Sequence, residues 1–138
     1  MKKFVTAMVL VMVLTSIFCA YAEYDDGLAA FVDSFDFDMV EGDDGSGTMN
    51  VTCNDRMNHS IIIYIDSVEA NTCIMTVYRN GEQVGETKLL SYYDYEYAVE
   101  DFCMKLYKIE TVYEDYEAGK VSKEYFDEMT FKYRTTLW

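Results

Sequence analysis

Five carboxylates, Asp36, Asp38, Glu41, Asp43 and Asp44, crowd a glycine-rich stretch that reads EGDDGSG from Glu41 to Gly47. Carboxylates on a flexible loop are the hard oxygen ligands that calcium takes, so calcium is the cofactor these residues could hold. The EF-hand order is not met, because no glycine sits five residues after a first aspartate with acids between. The pattern therefore favours a solvated acidic loop over a metal site. A second cluster, Tyr92, Tyr93 and Tyr97, interleaves with Asp94 and Glu96. Exposed tyrosines stack on sugars or anchor a protein partner, and these three are the candidate partner surface.

His59 is the only histidine. A Ser-His-Asp or Cys-His arrangement would have to use it. It falls in the polar stretch Asn54 to His59, and no serine has the glycine-flanked setting of a hydrolase nucleophile. No catalytic residue is assigned. Paired carboxylates for glycoside-type hydrolysis stay open only because acids are so numerous. Cys53, Cys73 and Cys103 are separated by 20 and 30 residues. With a single histidine this does not resemble a zinc site. In an oxidising compartment one disulfide among the three is allowed, in any of three pairings, with one thiol left over. The plainer alternative is three buried thiols acting as small apolar residues.

The elements that must position these residues centre on Ser60 to Leu90. Ile61, Ile62, Ile63 and Ile65, with Tyr64 and Val68, favour an extended chain, since branched and aromatic side chains fit a pleated surface. Thr72 to Arg79 has the same character. Asn80-Gly81 follows, the favoured pair of a type I′ turn, where both central residues need φ > 0. That turn predicts Arg79 opposite Glu82, Tyr78 opposite Gln83 and Val77 opposite Val84. Ser34 to Val40 and Thr48 to Cys53 alternate apolar and polar residues, which reads as two further strands around the loop from Glu41 to Gly47. Glu23 to Asp33 is acidic and then weakly helical.

Ser91 with Asp94 three residues on is a capping-box pattern. From there Tyr95, Ala98, Val99, Phe102, Leu106, Ile109, Tyr113 and Tyr116 recur at steps of three and four. They form one apolar stripe on a helix over about 92–118 that Gly119 ends. Asp101 and Lys105 are correctly ordered for an i, i+4 ion pair. Ser122 caps a second, shorter helix to about Phe131. Met129, Phe131 and Tyr133 also alternate as a strand would. The fold class expected is α+β: an antiparallel sheet of about five strands packed by the long amphipathic helix and the short C-terminal one.

Residues 1–22 read as a secretory signal peptide. Lys2 and Lys3 precede an apolar core from Phe4 to Phe18, and Ala20-Tyr21-Ala22 is a small-x-small cleavage site. The compact two-lysine leader resembles bacterial ones. Residues 23–138 then form a single domain, 116 residues long, which can bury one core unaided. Removing Lys2, Lys3 and Cys19 with the leader leaves nine basic against 25 acidic residues, a balance of −16. Such a chain is repelled by nucleic acid and by anionic membrane surfaces, so no nucleic-acid role and no stable membrane insertion after cleavage are expected. A protein or a cationic surface is the electrostatically allowed partner. The expectation is an exported acidic protein acting outside the cytoplasm as a non-enzymatic binding module. A small carboxylate-dependent hydrolase and a calcium-dependent binder are the alternatives. Intact mass of the exported protein should match a chain starting at Glu23, and recovery of the full-length chain from membranes would contradict the leader assignment.

Overall fold

The computed structural model describes residues 26–43, 46–65 and 72–138, except the side chains of Asp26, Tyr92, Tyr93 and Glu96. The expected signal peptide lies outside these residues, as does Val68. A short helix α1 (Asp26–Asp33) leads into five strands: β1 (Asp36–Glu41), β2 (Gly47–Thr52), β3 (His59–Ile65), β4 (Thr72–Arg79) and β5 (Glu82–Ser91). Two helices follow, α2 (Tyr92–Glu117) and α3 (Lys123–Thr135). The strands lie in sequence order and every neighbouring pair is antiparallel. This is the expected α+β fold.

Alternation sets which face each strand buries. In β3, His59, Ile61, Ile63 and Ile65 are buried while Ser60, Ile62 and Tyr64 are half-exposed. Met49 and Val51 on β2 and Cys73, Met75 and Val77 on β4 join them on the inner face. Asn80 and Gly81 take φ of 50° and 81°, and the hairpin register is the expected one, with Arg79 opposite Glu82 and Val77 opposite Val84. Further along, the pairing slips between Met75 and Val77, where β5 carries extra residues around Gly85. Gly85 has φ +66°, and a Cβ there would lie 3.4 Å from the Trp138 ring. Glycine meets both demands, the left-handed backbone and the close approach.

Ser91 caps α2 as its sequence indicates. Its hydroxyl accepts from the Asp94 backbone N–H and donates to the Asp94 carboxylate. Val99, Phe102, Leu106 and Ile109 are at most 2% exposed, so the stripe lies on the sheet. Asp101 and Lys105 pair at 2.8 Å. Ala118 caps the helix and Gly119 turns the chain at φ +73°. Leu28, Val32 and Phe35 complete one flank of the core. Leu137 and Trp138 complete the other. Trp138 Nε1 donates to the Glu86 carbonyl at 3.0 Å, and Lys88 sits 4.1 Å above its ring.

Three boundaries differ from the sequence reading. Glu41 and Gly47 pair with each other, so the loop between β1 and β2 is shorter than 41–47. The third strand starts at His59 rather than after it. The C-terminal helix runs through Thr135, which removes the strand alternative for Met129 to Thr135. Phe126 stacks on Tyr116 at 4.4 Å and meets Tyr113 edge-on at 4.9 Å, which docks α3 on α2.

Phe102 is fully buried and Glu100 exposed on the same helix. Phe102→Ala should cost about 3–5 kcal/mol through lost burial and a residual cavity. Glu100→Ala should cost well under about 1 kcal/mol. Denaturant melts against the parent check this, and small, equal losses would contradict the packing.

Candidate functional site

The turn between β2 and β3 places a polar cluster at the end of the core. Asn54 and Asn58 take φ of 55° and 52°, a left-handed backbone that asparagine tolerates better than most residues. The turn brings Asp55 under His59. One carboxylate oxygen of Asp55 accepts from the His59 backbone N–H at 2.7 Å, and the other lies 2.6 Å from Nδ1. Arg79, directly across the ladder, donates from Nε to His59 Nε2 at 3.1 Å. A ring nitrogen that accepts carries no proton, so the proton of His59 sits on Nδ1, facing Asp55. The side chains of His59 and Asp55 are 0% exposed.

This order of groups resembles the acid–imidazole half of a catalytic triad, but its chemistry is closed. The nitrogen that would act as general base is occupied by Arg79, and solvent does not reach the ring. Phe102 covers it edge-on at 6.1 Å. The cluster is a structural clamp. Burial works against the Asp55 carboxylate, but the hydrogen bonds from the His59 ring and backbone outweigh it and hold the carboxyl below its usual range. The clamp extends outward. The Asn80 N–H donates to the Asn58 carbonyl at 3.1 Å, and the Asn58 amide donates to Asn80 Oδ1 at 2.9 Å, tying two turns together. Arg56, next to Asp55, reaches α2. Its backbone N–H donates to Glu110 and its guanidinium forks onto Glu117 through two nitrogens.

Sequence placed His59 in a polar turn and did not join it to Asp55 and Arg79. A signal was present. His59 shares parity with Ile61, Ile63 and Ile65, and Arg79 with Met75 and Val77, so both belong to the inner face.

The acidic candidates are spread out rather than gathered. Asp36 and Asp38 lie on the outer face of β1, Glu41 points to the other side, and Asp43 sits in the following turn. Asp44 lies outside the described residues. Asp36 accepts from the Asn54 amide at 3.0 Å. Among the described residues, no three His, Cys, Asp or Glu side chains converge as metal ligands. Tyr97 is 72% exposed on α2. Tyr92 and Tyr93 open that helix, and their side chains lie outside the description. Cys53, Cys73 and Cys103 stand as three buried thiols. Burial pushes the Cys73 thiol up to about 11 and that of Cys103 up to about 12.

The outer sheet face carries no helix among the described residues. A continuous cross-strand row runs over it: Val40, Thr48, Tyr64, Ile74 and Leu89, each the register partner of the next. Val40 is 58% exposed and Leu89 70%. At the next level lie Asn50, Ile62 and Thr76, with Thr76 and Thr87 bonded at 2.9 Å. The charged strand residues that alternate onto this face are Asp36 and Asp38, both negative.

Asp55→Asn leaves one acceptor oxygen where the carboxylate offers two, so either the Nδ1 proton or the backbone N–H of His59 loses its partner, which should cost about 1–3 kcal/mol at neutral pH. The folded carboxyl lies below its unfolded value. Its contribution is therefore present above about pH 4 and lost as pH falls below that. Urea melts of parent and variant should show a gap at pH 7 that narrows toward pH 2. A constant gap would contradict the account.

Comparisons with protein-family models, with curated proteins and with solved structures each found no match.

Proposed function

We propose that this protein is an exported, non-enzymatic binding module whose helix-free sheet face docks a cationic, extended segment of a partner protein. The observation that carries this reading is the outer-face row Val40, Thr48, Tyr64, Ile74 and Leu89, exposed at Val40, Ile74 and Leu89 and flanked on β1 by Asp36 and Asp38. Antiparallel sheets tolerate one solvated face, and that face is normally polar. Here it offers an apolar stripe, and exposed stripes of this kind mark interaction sites. Charge selects the partner. The face adds two carboxylates to a chain whose balance after leader removal is −16. Anionic ligands are repelled, and a peptide alternating basic and apolar residues matches both the stripe and the field. The closed state of the Asp55–His59–Arg79 cluster supports a non-enzymatic reading, because the one histidine has no free nitrogen to offer.

A labelled ten-residue peptide alternating lysine and leucine is the probe, with its glutamate counterpart as control. Fluorescence anisotropy should show binding of the lysine peptide that weakens as salt rises. Ile74→Ser with Leu89→Ser should weaken it about tenfold or more, the equivalent of about 1.4 kcal/mol. Phe131→Ser removes an equally exposed apolar residue from α3 (62% exposed) and should leave binding unchanged. Equal binding of the two peptides, or equal loss in the two variants, would reject the proposal.

A further inference from the structure

Three cysteines allow three disulfides, and the fold separates them. Cys53 and Cys73 sit at opposite ends of the sheet. The Cys53 backbone N–H donates to the His59 carbonyl at 3.0 Å, so Cys53 is level with the start of β3. Cys73 precedes Ile74, whose register partner is Tyr64, so it is level with the end of β3. Those levels are six residue steps apart along β3, about 20 Å at 3.3 Å per residue. A disulfide needs Cα atoms within about 7 Å. Cys73 is also distant from Cys103. Helix α2 follows its cap Ser91, which lies opposite Thr72 and hence at the Cys73 end, and leaves toward Arg56, which binds Glu110 and Glu117 at the other end. Twelve residues of helix from Ser91 to Cys103 cover about 18 Å.

Cys103 instead lies over the Cys53 end. It lines a small apolar cavity with Val51 and Ile61, which are register partners on β2 and β3. Cys53 is the next inner-face residue after Val51 along the same chain, one pleat step of about 6.6 Å away. Phe102, the neighbour of Cys103, meets the ring of His59, whose carbonyl holds the Cys53 backbone.

We infer that Cys53 and Cys103 are the pair that oxidises to a disulfide, tying the end of β2 to the middle of α2 and leaving Cys73 as a buried thiol. The setting in which it forms rests on the export reading, since cytoplasmic thiols are kept reduced. The oxidant is a disulfide, either of low molecular weight or on a protein donor. One cysteine thiolate attacks it, forming a mixed disulfide and expelling one thiolate. The second cysteine thiolate then displaces the other. Two protein thiols and one donor disulfide become one protein disulfide and two donor thiols, and the two protons pass to the departing sulfurs. The fold dictates when this happens. Burial, reinforced by the neighbouring thiol of Cys103, pushes the Cys53 thiol far above neutrality, and Cys103 is pushed up to about 12. Neither is a thiolate once the core has closed, so oxidation belongs to folding.

The test is refolding. Protein unfolded and reduced in guanidinium is diluted into oxidised and reduced glutathione, and in parallel into excess reductant. Remaining thiols are then alkylated under denaturing conditions and the protein is digested for peptide mass mapping. The glutathione sample should yield the Cys53–Cys103 cross-linked peptide, with Cys73 alkylated. Its melting temperature should exceed that of the reduced sample by about 10 °C or more, since the bond closes a long loop. Cys73→Ser should keep both the cross-link and the rise, whereas Cys53→Ser should lose both. A cross-link through Cys73, or a protein that refolds to the same near-ultraviolet spectrum in both buffers with every thiol free, would overturn the assignment. The assay uses refolded protein and is independent of the export reading, which the Glu23 terminus tests separately.

Discussion

A single helix cannot cover five strands, and this mismatch of widths governs the rest of the structure. Four inter-strand gaps of about 4.8 Å make the sheet about 19 Å across, against about 10 Å for a helix with its side chains. α2 therefore covers the middle, and the burial follows suit. Strands β2, β3 and β4 bury alternate residues, whereas β1 and β5 are mostly exposed. Each flank needs its own filler. Leu28, Val32 and Phe35 supply one, and Leu137 with Trp138 the other. The second filler explains the irregularity in β5. Trp138 needs room beside the strand and a carbonyl to bond, and the bulge with Gly85 provides both. One end of the sheet is closed by polar means, because an apolar plug there would leave the turn's backbone groups unpaired. Asp55, His59 and Arg79 fill that place with their hydrogen bonds turned on one another.

Much of the fold was legible because its signals are local. Asn80-Gly81 states its own turn type, and the alternation on either side fixes which residues meet. Ser91 and Asp94 state a helix start, and a stripe at steps of three and four states which face is buried. What could not be read was long-range. Nothing in the sequence near Asp55 says that Arg79 will lie across the ladder. The parity of His59 with the isoleucines was informative, yet polarity outweighed it, because a histidine is expected in water unless a partner is already known. Likewise, Met129 to Thr135 satisfies two periods at once. The structure takes the helical period, in a helix that docks on α2 through Phe126 and Tyr116, a contact between separate helices.

The acidic stretch shows how one composition serves different physical ends. Carboxylates near glycines suggest a cation site when read as a string. On the structure, Asp36, Asp38 and Glu41 decorate an edge strand. An edge presents unpaired backbone groups to any passing strand, and charge along it discourages pairing between copies. Asp36 and Asp38 do this on the same face as the row of Val40, Thr48, Tyr64, Ile74 and Leu89. Under the proposed function, the same charges that discourage pairing between copies would draw a basic segment to that face.

The strictly sequential order of the strands also says something about how the molecule comes to be folded. Each strand pairs with the one made just before it, joined by a connection of a few residues, so no early step closes a long loop. Chains rich in local pairing cross their folding barrier quickly. The β4–β5 hairpin, with its self-specified turn, is a natural starting point from which the sheet can zip outward. α2 follows β5 directly and can settle on the inner face as soon as that face exists. Under the proposed export, a chain emerging unfolded on the far side of a membrane, away from cytoplasmic chaperones, would spend little time with its isoleucines exposed.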